Sequence, residues 1–438
     1  MGNRFDISLE WFPYSAGSET DRVFSAFIGL SADGRCLTRL DDRLGMTVRD
    51  RMYGCAWQLA QWFAANWWRL RWESGSRQSM RDNIDWGMSH SMASAGGGFI
   101  WPNIIFDSDG ETIGIDLKPD TQPPPYEPVS YLNSVNTRIP ASDFVQTIDG
   151  FLDSVLRRGE AIGVQDNEID DLWREVLEER RDPEASRYRK WEAITGYDPD
   201  EAPEALLNGI AEASNLYGCC AAEEIAAIQR ESLAILESLS SVPMQDSVCV
   251  VLPSREDLGI SPDGTASEPP WAKAERLAAC VRQKLDLGTA SVPDKTLADM
   301  IGASAEMFSE GNVAKVAMPF ALREAQGTAS RLFLTRKPAT SRRFAVSRLI
   351  GDQFRFGGQE RLLPATDTQT FRQKFQRAFA QAFLCPFDAL QDKLGTKTPD
   401  DDDIADAAEY FQVSPLLVRN VLVNKGVLER DGLNQQAG

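Results

Sequence analysis

Between residues 341 and 428 the spacing of apolar side chains predicts helices. Residues 342–354 carry Phe344, Leu349 and Ile350 on one face. Phe371–Leu384 does the same with Phe375, Phe379, Phe383 and Leu384, and stops at Cys385-Pro386. A Gly-Gly turn and a polar loop separate the two. Residues 403–411, the turn Val413-Ser414-Pro415 and residues 416–422 then predict helix, short turn, helix.

This order of pieces resembles the ImmA/IrrE family of zinc metallopeptidase-like proteins. The resemblance is carried by Arg343-Phe344, Phe379-Ala380, Phe383-Leu384, Pro386 and Val413-Ser414, and it covers roughly the last 170 residues. In that family an Arg-Phe pair leads into a helix bearing His-Glu-x-x-His. A later helix supplies a third zinc ligand, and a helix-turn-helix-like pair follows. The resemblance therefore implies a zincin-like domain. Its chemistry departs from the family pattern. Counted from Arg343-Phe344, the two His positions hold Arg348 and Asp352, and the Glu position holds Leu349. Counted back from Pro386, the third-ligand Glu is Gln373 and the Asn is Arg377.

Composition supports that departure. The chain of 438 residues has one histidine, His90, so no two-histidine helix is possible. A hydrolytic zinc site needs about three neutral or anionic ligands and one open position. The expectation is a degenerate peptidase fold with no catalytic residue, metal or cofactor. A further asymmetry lies in the same region: residues 331–377 hold eleven Lys or Arg against three Asp or Glu, inside a chain of net charge −19. Arg348, Lys374 and Arg377 fall on or beside the positions where the family's cleft opens. Arg348 and Asp352, four residues apart on one helix face, are expected to form a salt bridge.

The remaining chain reads as a helix-rich α+β protein in three parts. Residues 1–120 predict a small antiparallel sheet. Strands are expected over 5–12, 22–30, 35–40, 99–106 and 111–117, packed against a Trp-rich helix over 52–72. Trp57, Trp62, Phe63, Trp67, Trp68 and Trp72 surround that helix, which predicts burial on most sides. His90, between Ser89 and Ser91, lacks the glycine pattern of a nucleophile elbow and is expected to be structural. Gly96-Gly97-Gly98 precedes a strand, the reverse of a phosphate loop, and is expected to stop a helix. Residues 119–128, with Pro123-Pro124-Pro125, predict a stiff linker. A helical middle region, 121–250, follows, with helices over 142–159, 166–181 and 205–239. A second boundary is expected over 251–270, and the ImmA/IrrE-like domain occupies 265–438, opening with helices at 271–285 and 296–302.

The charge of −19 argues against a general nucleic-acid binder. No apolar run is long enough to span a membrane. Seven scattered cysteines without a C-x-x-C pair read as reduced, cytoplasmic thiols. The composite expectation is a non-catalytic binding or regulatory protein. Arg348, Asp352, Gln373 and Arg377 would take an acidic protein segment or a small anion. The family resemblance implies a setting of bacterial regulation, stress response or mobile-element defence. Two alternatives stay open: a live metallopeptidase with a remodelled metal site, and a transcriptional regulator using the C-terminal helices, where Arg419 and Lys425 are the available bases.

Overall fold

A computed structural model describes residues 4–12, 17–75, 83–119, 127–163, 168–239, 241–261, 269–309, 313–357, 360–395 and 398–429. The chain is mixed α+β and rich in helix, and it forms two compact units, Met1–Leu207 and Asn208–Gly438.

In the first unit β1 (Phe5–Trp11) pairs along its whole length with β2 (Ser25–Ala32), antiparallel. Helix α1 (Glu19–Phe24) stands between them, so the strand expected from residue 22 begins three residues later. The cause is local: Ser18 and Asp21 form a capping box, each side chain accepting the other's backbone N–H. The expected hairpin with residues 35–40 is reduced to β3 (Arg35–Cys36). A three-stranded sheet is made by β4 (Leu40–Asp42), β5 (Thr47–Arg49) and the later β9 (Val129–Tyr131).

The Trp-rich segment starts as strand β6 (Met52–Cys55), paired with β2, before turning into α2 (Ala56–Ala65) and α3 (Trp67–Trp72). Asn66 separates the two helices, its side-chain amide donating to the Trp62 carbonyl at 2.8 Å. Trp57, Trp62, Trp67 and Trp68 are buried, as expected of core residues. After α4 (Ile84–His90), the hairpin of β7 (Ile104–Ser108) and β8 (Thr112–Leu117) matches the expected pair with a later start. Gly96, Gly97 and Gly98 all have positive φ and follow a single 3-10 turn, which ends helical structure there.

The proline triplet expected as a linker lies outside the described residues. The chain beyond it returns to the same sheet: β10 (Val135–Pro140) pairs with β8, Val135 opposite Leu117. Helix α5 (Ala141–Ile162) ends at Gly163 in the left-handed region, one turn past the expected stop at Gly159. It joins α6 (Glu168–Arg181) and α7 (Pro183–Ile194). Phe144, Phe151 and Trp173 enter one core with Phe5, Phe63 and Phe106. The helices expected to open a middle domain thus complete the first unit. Burying rings of this size contributes a few kcal/mol each.

The division falls within α8 (Glu204–Tyr217). The second unit continues with α9 (Cys219–Ala226) and α10 (Ser232–Leu239), so the single helix expected over 205–239 is broken. Its sheet has the order β11 (Ser247–Val250), β13 (Ser330–Phe333), β12 (Phe320–Arg323) and β14 (Leu362–Pro364), antiparallel throughout. Because β11 precedes residues 251–270 and pairs with β13, the expected second boundary is spanned by a sheet. Helices α11 (Pro270–Lys284), α12 (Asp294–Met300), α13 (Ala339–Phe356), α14 (Phe371–Leu384), α15 (Phe387–Leu394), α16 (Asp401–Phe411) and α17 (Pro415–Asn424) complete it. The bounds of α14 are those read from the sequence. No helix among the described residues is long and apolar enough to cross a membrane.

Candidate functional site

Helices α13 and α14 approach closely because Gly351 lacks a side chain where the Phe379 ring lies. A Cβ there would sit 2.6 Å from the ring. Phe354 and Phe379 meet edge to face at 5.9 Å, and Phe379 stacks on Phe383. The start of α13 is anchored by two buried arginines. Arg342 donates to the Met307 carbonyl at 2.7 Å. Arg343 donates to the carbonyls of Val292 and Gln412 at 2.6 and 3.1 Å and pairs with Asp294. Thr370 caps α14 by accepting from the Gln373 backbone N–H.

Between the two helices lies a buried polar network. Arg348 (5% exposed) donates from Nη2 to Gln373 Oε1 at 2.6 Å and to the Thr366 carbonyl. Gln373 donates in turn to the Pro364 carbonyl at 3.1 Å. Asp352, fully buried, is held by both nitrogens of one edge of Arg372: Nε to Oδ1 at 2.8 Å and Nη2 to Oδ2 at 2.6 Å. The third nitrogen of Arg372 donates to Glu360 Oε2 at 2.8 Å, and the other Glu360 oxygen accepts from the Cys220 backbone N–H at 2.7 Å. Glu224, on α9, accepts from the Thr370 hydroxyl at 2.7 Å.

The electrostatics follow from burial and neighbours. Desolvation pushes the Glu224 carboxyl up to about 7, against the pull of Arg372 and the bonds from Thr370 and Gln373. Desolvation, then the like charge of Arg377, lowers Arg348 to about 10. Burial works against the charge on Arg372 as well, but Asp352, with Glu224 and Glu360, holds it well above the usual arginine value. Arg372 is the resident cation of a carboxylate cluster.

Of the four residues singled out from sequence, Arg348 and Gln373 meet directly, and Asp352 lies in the same network. Arg377 donates to the Thr368 carbonyl at 2.8 Å on the side of the half-buried loop 365–370. The expected Arg348–Asp352 salt bridge is not formed: Asp352 has Arg372, and Arg348 lies 3.8 Å from Asp367 instead. A bidentate guanidinium from the facing helix satisfies both carboxylate oxygens, which an i,i+4 neighbour does not match. Leu349, which the family resemblance would set at the catalytic-base position, is buried in the apolar core. Arg372, Glu360 and Glu224 were not foreseen. Arg372 sits beside Gln373, but only the packing of α13 on α14 brings it to Asp352.

A zinc ion does not fit these residues. Arg348 offers no lone pair, Asp352 is committed to Arg372, and an amide is a weak donor. Among the described residues no group of three or more His, Cys, Asp or Glu is placed to hold a metal.

The other candidates are engaged in structure. His90 has Nδ1 at 2.9 Å from the Phe106 carbonyl and Nε2 at 3.0 Å from Glu73, and stacks on Trp86. Arg419 of α17 and Lys425 at its end, the bases expected for a DNA-reading helix pair, are taken by Asp401 and Glu275. In the first unit, Arg189 on the wall of a 310 Å³ groove is bound by Glu179, Glu192 and Asp200. No protein-family model matches the sequence, and no curated protein or solved structure matches it.

Proposed function

We propose that the second unit is a pseudo-metallopeptidase, a binding or regulatory protein that keeps the helix arrangement of the ImmA/IrrE family and does no hydrolysis. One observation carries this reading: the hydrogen bond of 2.6 Å between Arg348 and Gln373, which stand at a first-ligand and the third-ligand position of the family pattern on two different helices. Residues aligned by a pattern read on separate segments, 25 positions apart, come together in space. In place of a metal, the site carries guanidinium charge neutralised by carboxylates. Its accessible face, at Arg377 and Asp367, suits a negatively charged partner, either an acidic protein segment or a small anion. The role in regulation, stress response or mobile-element defence comes from the family resemblance.

The test is elemental analysis of the purified chain after dialysis, with a peptidase assay on unfolded protein substrates. The expected result is no stoichiometric zinc and no cleavage. One dialysis-resistant zinc per chain would overturn the reading.

A further inference from the structure

Arg348 and Arg377 lie on different helices, yet both direct a guanidinium to one short loop, residues 365–370. Arg348 donates to the Thr366 carbonyl and Arg377 to the Thr368 carbonyl. Burial disfavours the charge on both guanidiniums, and at Arg348 the like charge of Arg377 adds to it. Like charges held together in a poorly solvated place call for a counter-ion.

The carboxylates nearby do not supply a full one. Asp352 and Glu360 are bound to Arg372. Glu224 is fastened to Thr370, and burial favours its neutral form. The carboxylate in ion-pair range of Arg348, among the described residues, is Asp367. Its side chain is fully exposed, and it stands 3.8 Å from Nη1, beyond hydrogen-bonding distance. Arg348 also has a second unmet group. Its Nε, on the edge shared with Nη2, is buried without an acceptor among the described residues, and the side chain is more than nine-tenths buried. A buried donor left unmet costs about 1–3 kcal/mol, so this guanidinium is under-satisfied by its present partners. The same loop carries two hydroxyls, those of Thr366 and Thr368, hydrogen-bonded to each other at 2.8 Å.

We propose that Arg348, Arg377 and the Thr366–Thr368 turn form a site for a phosphoryl group. The group would enter where Asp367 now stands and displace its carboxylate. This deepens the pseudo-peptidase reading by naming the ligand class of the same cleft. A phosphate monoester suits the site better than a carboxylate for two reasons. It is close to a dianion near neutral pH, matching two guanidiniums, whereas a carboxylate brings the single charge that Asp367 already provides. It also has three oxygens to meet donors converging from two helices and a loop. The inner cation is almost enclosed while Arg377 and Asp367 border solvent, so the ligand is a small ion or a phosphoryl group on a tether.

Isothermal titration of the full chain with inorganic phosphate, with a phosphoserine peptide and with its glutamate-rich counterpart tests this. Saturable 1:1 binding of phosphate or of the phosphopeptide is expected. Asp367→Asn, which removes the competing carboxylate, should bind about tenfold tighter. Arg377→Ala should bind at least about tenfold weaker with its melting temperature retained, since Arg377 borders solvent. Phosphate alone marks a free ion as the ligand, and a tighter phosphopeptide marks a modified partner. Either supports the proposal. Absence of binding to both parent and Asp367→Asn at about 10 mM phosphate overturns it. So does unchanged affinity in Arg377→Ala, or tighter binding of the glutamate peptide than of phosphate. Such a failure leaves the zinc result untouched, so a metal-free protein that ignores phosphate loses this proposal and keeps the pseudo-peptidase reading.

Discussion

The carboxylate of Asp352 and the guanidinium of Arg372 tie α13 to α14 through two parallel bonds of 2.8 and 2.6 Å, with neither side chain exposed to solvent beyond a few per cent. Phenylalanines border the pair: Phe356 packs under Arg372 at 5.0 Å, and Phe354 and Phe379 meet on the neighbouring turn. A pair this sheltered is governed by the cost of leaving one member alone, more than by the attraction itself.

Asp352→Ala is therefore expected to destabilise the protein by about 3–5 kcal/mol, because it removes the bidentate partner of Arg372 in a dry setting. Asp352→Leu combined with Arg372→Met should recover most of that loss. Urea unfolding of both variants checks it; equal losses in the two would place the cost in packing and not in charge.

Glu224 should make stability depend on pH. Burial raises its carboxyl from 4.5 to about 7 in the folded chain, so the folded state holds a proton that the unfolded state has released. The stability contributed is complete below about pH 4.5 and is lost as pH rises through about 7. Glu224→Gln, which stays neutral, is expected to match the parent at pH 4 and exceed it at pH 8. Melting temperatures recorded across that range decide the matter, and parallel curves would contradict it.

Gly351→Ala places a methyl group 2.6 Å from the Phe379 ring, and Phe379 is wedged between Phe354 and Phe383. The gain in helix propensity is about 1 kcal/mol, and overpacking costs about 1–3 kcal/mol. A lowered melting temperature is expected. Phe379→Leu in the same chain should restore part of it.

The metal site can be tested in reverse. Arg348→His, Asp352→His and Gln373→Glu introduce the family's ligands, and Arg372→Met removes the cation that occupies the site. Zinc is expected to raise the melting temperature of this variant and to leave the parent unchanged. A folded variant indifferent to zinc would break the alignment on which the pseudo-peptidase reading rests.

Much of the second unit was legible in the chain itself. The bounds of α14, the position of α13 and the C-terminal helix pair follow from apolar spacing and from stops such as Cys385-Pro386, which act within a few residues. Core positions for Trp57, Trp62, Trp67 and Trp68, and a structural role for His90, were legible for the same local reasons. The Trp-rich helix was read too far toward its start because Met52–Cys55 gains sheet partners in β2 that no local rule reveals. Both proline-rich segments looked like domain boundaries, yet β10 and β11 pair across them.

The candidate site divides in the same way. That Arg348 and Asp352 share one face of α13 was readable from helical spacing. Which charge each one meets was decided only by the tertiary structure. Arg372 reaches Asp352 from twenty residues away, and Glu224 reaches Thr370 across 146. Spacing along a helix limits a side chain to its own face. The partner it finds there depends on which facing helix offers the better geometry and on how much water is excluded, and both are properties of the packed chain.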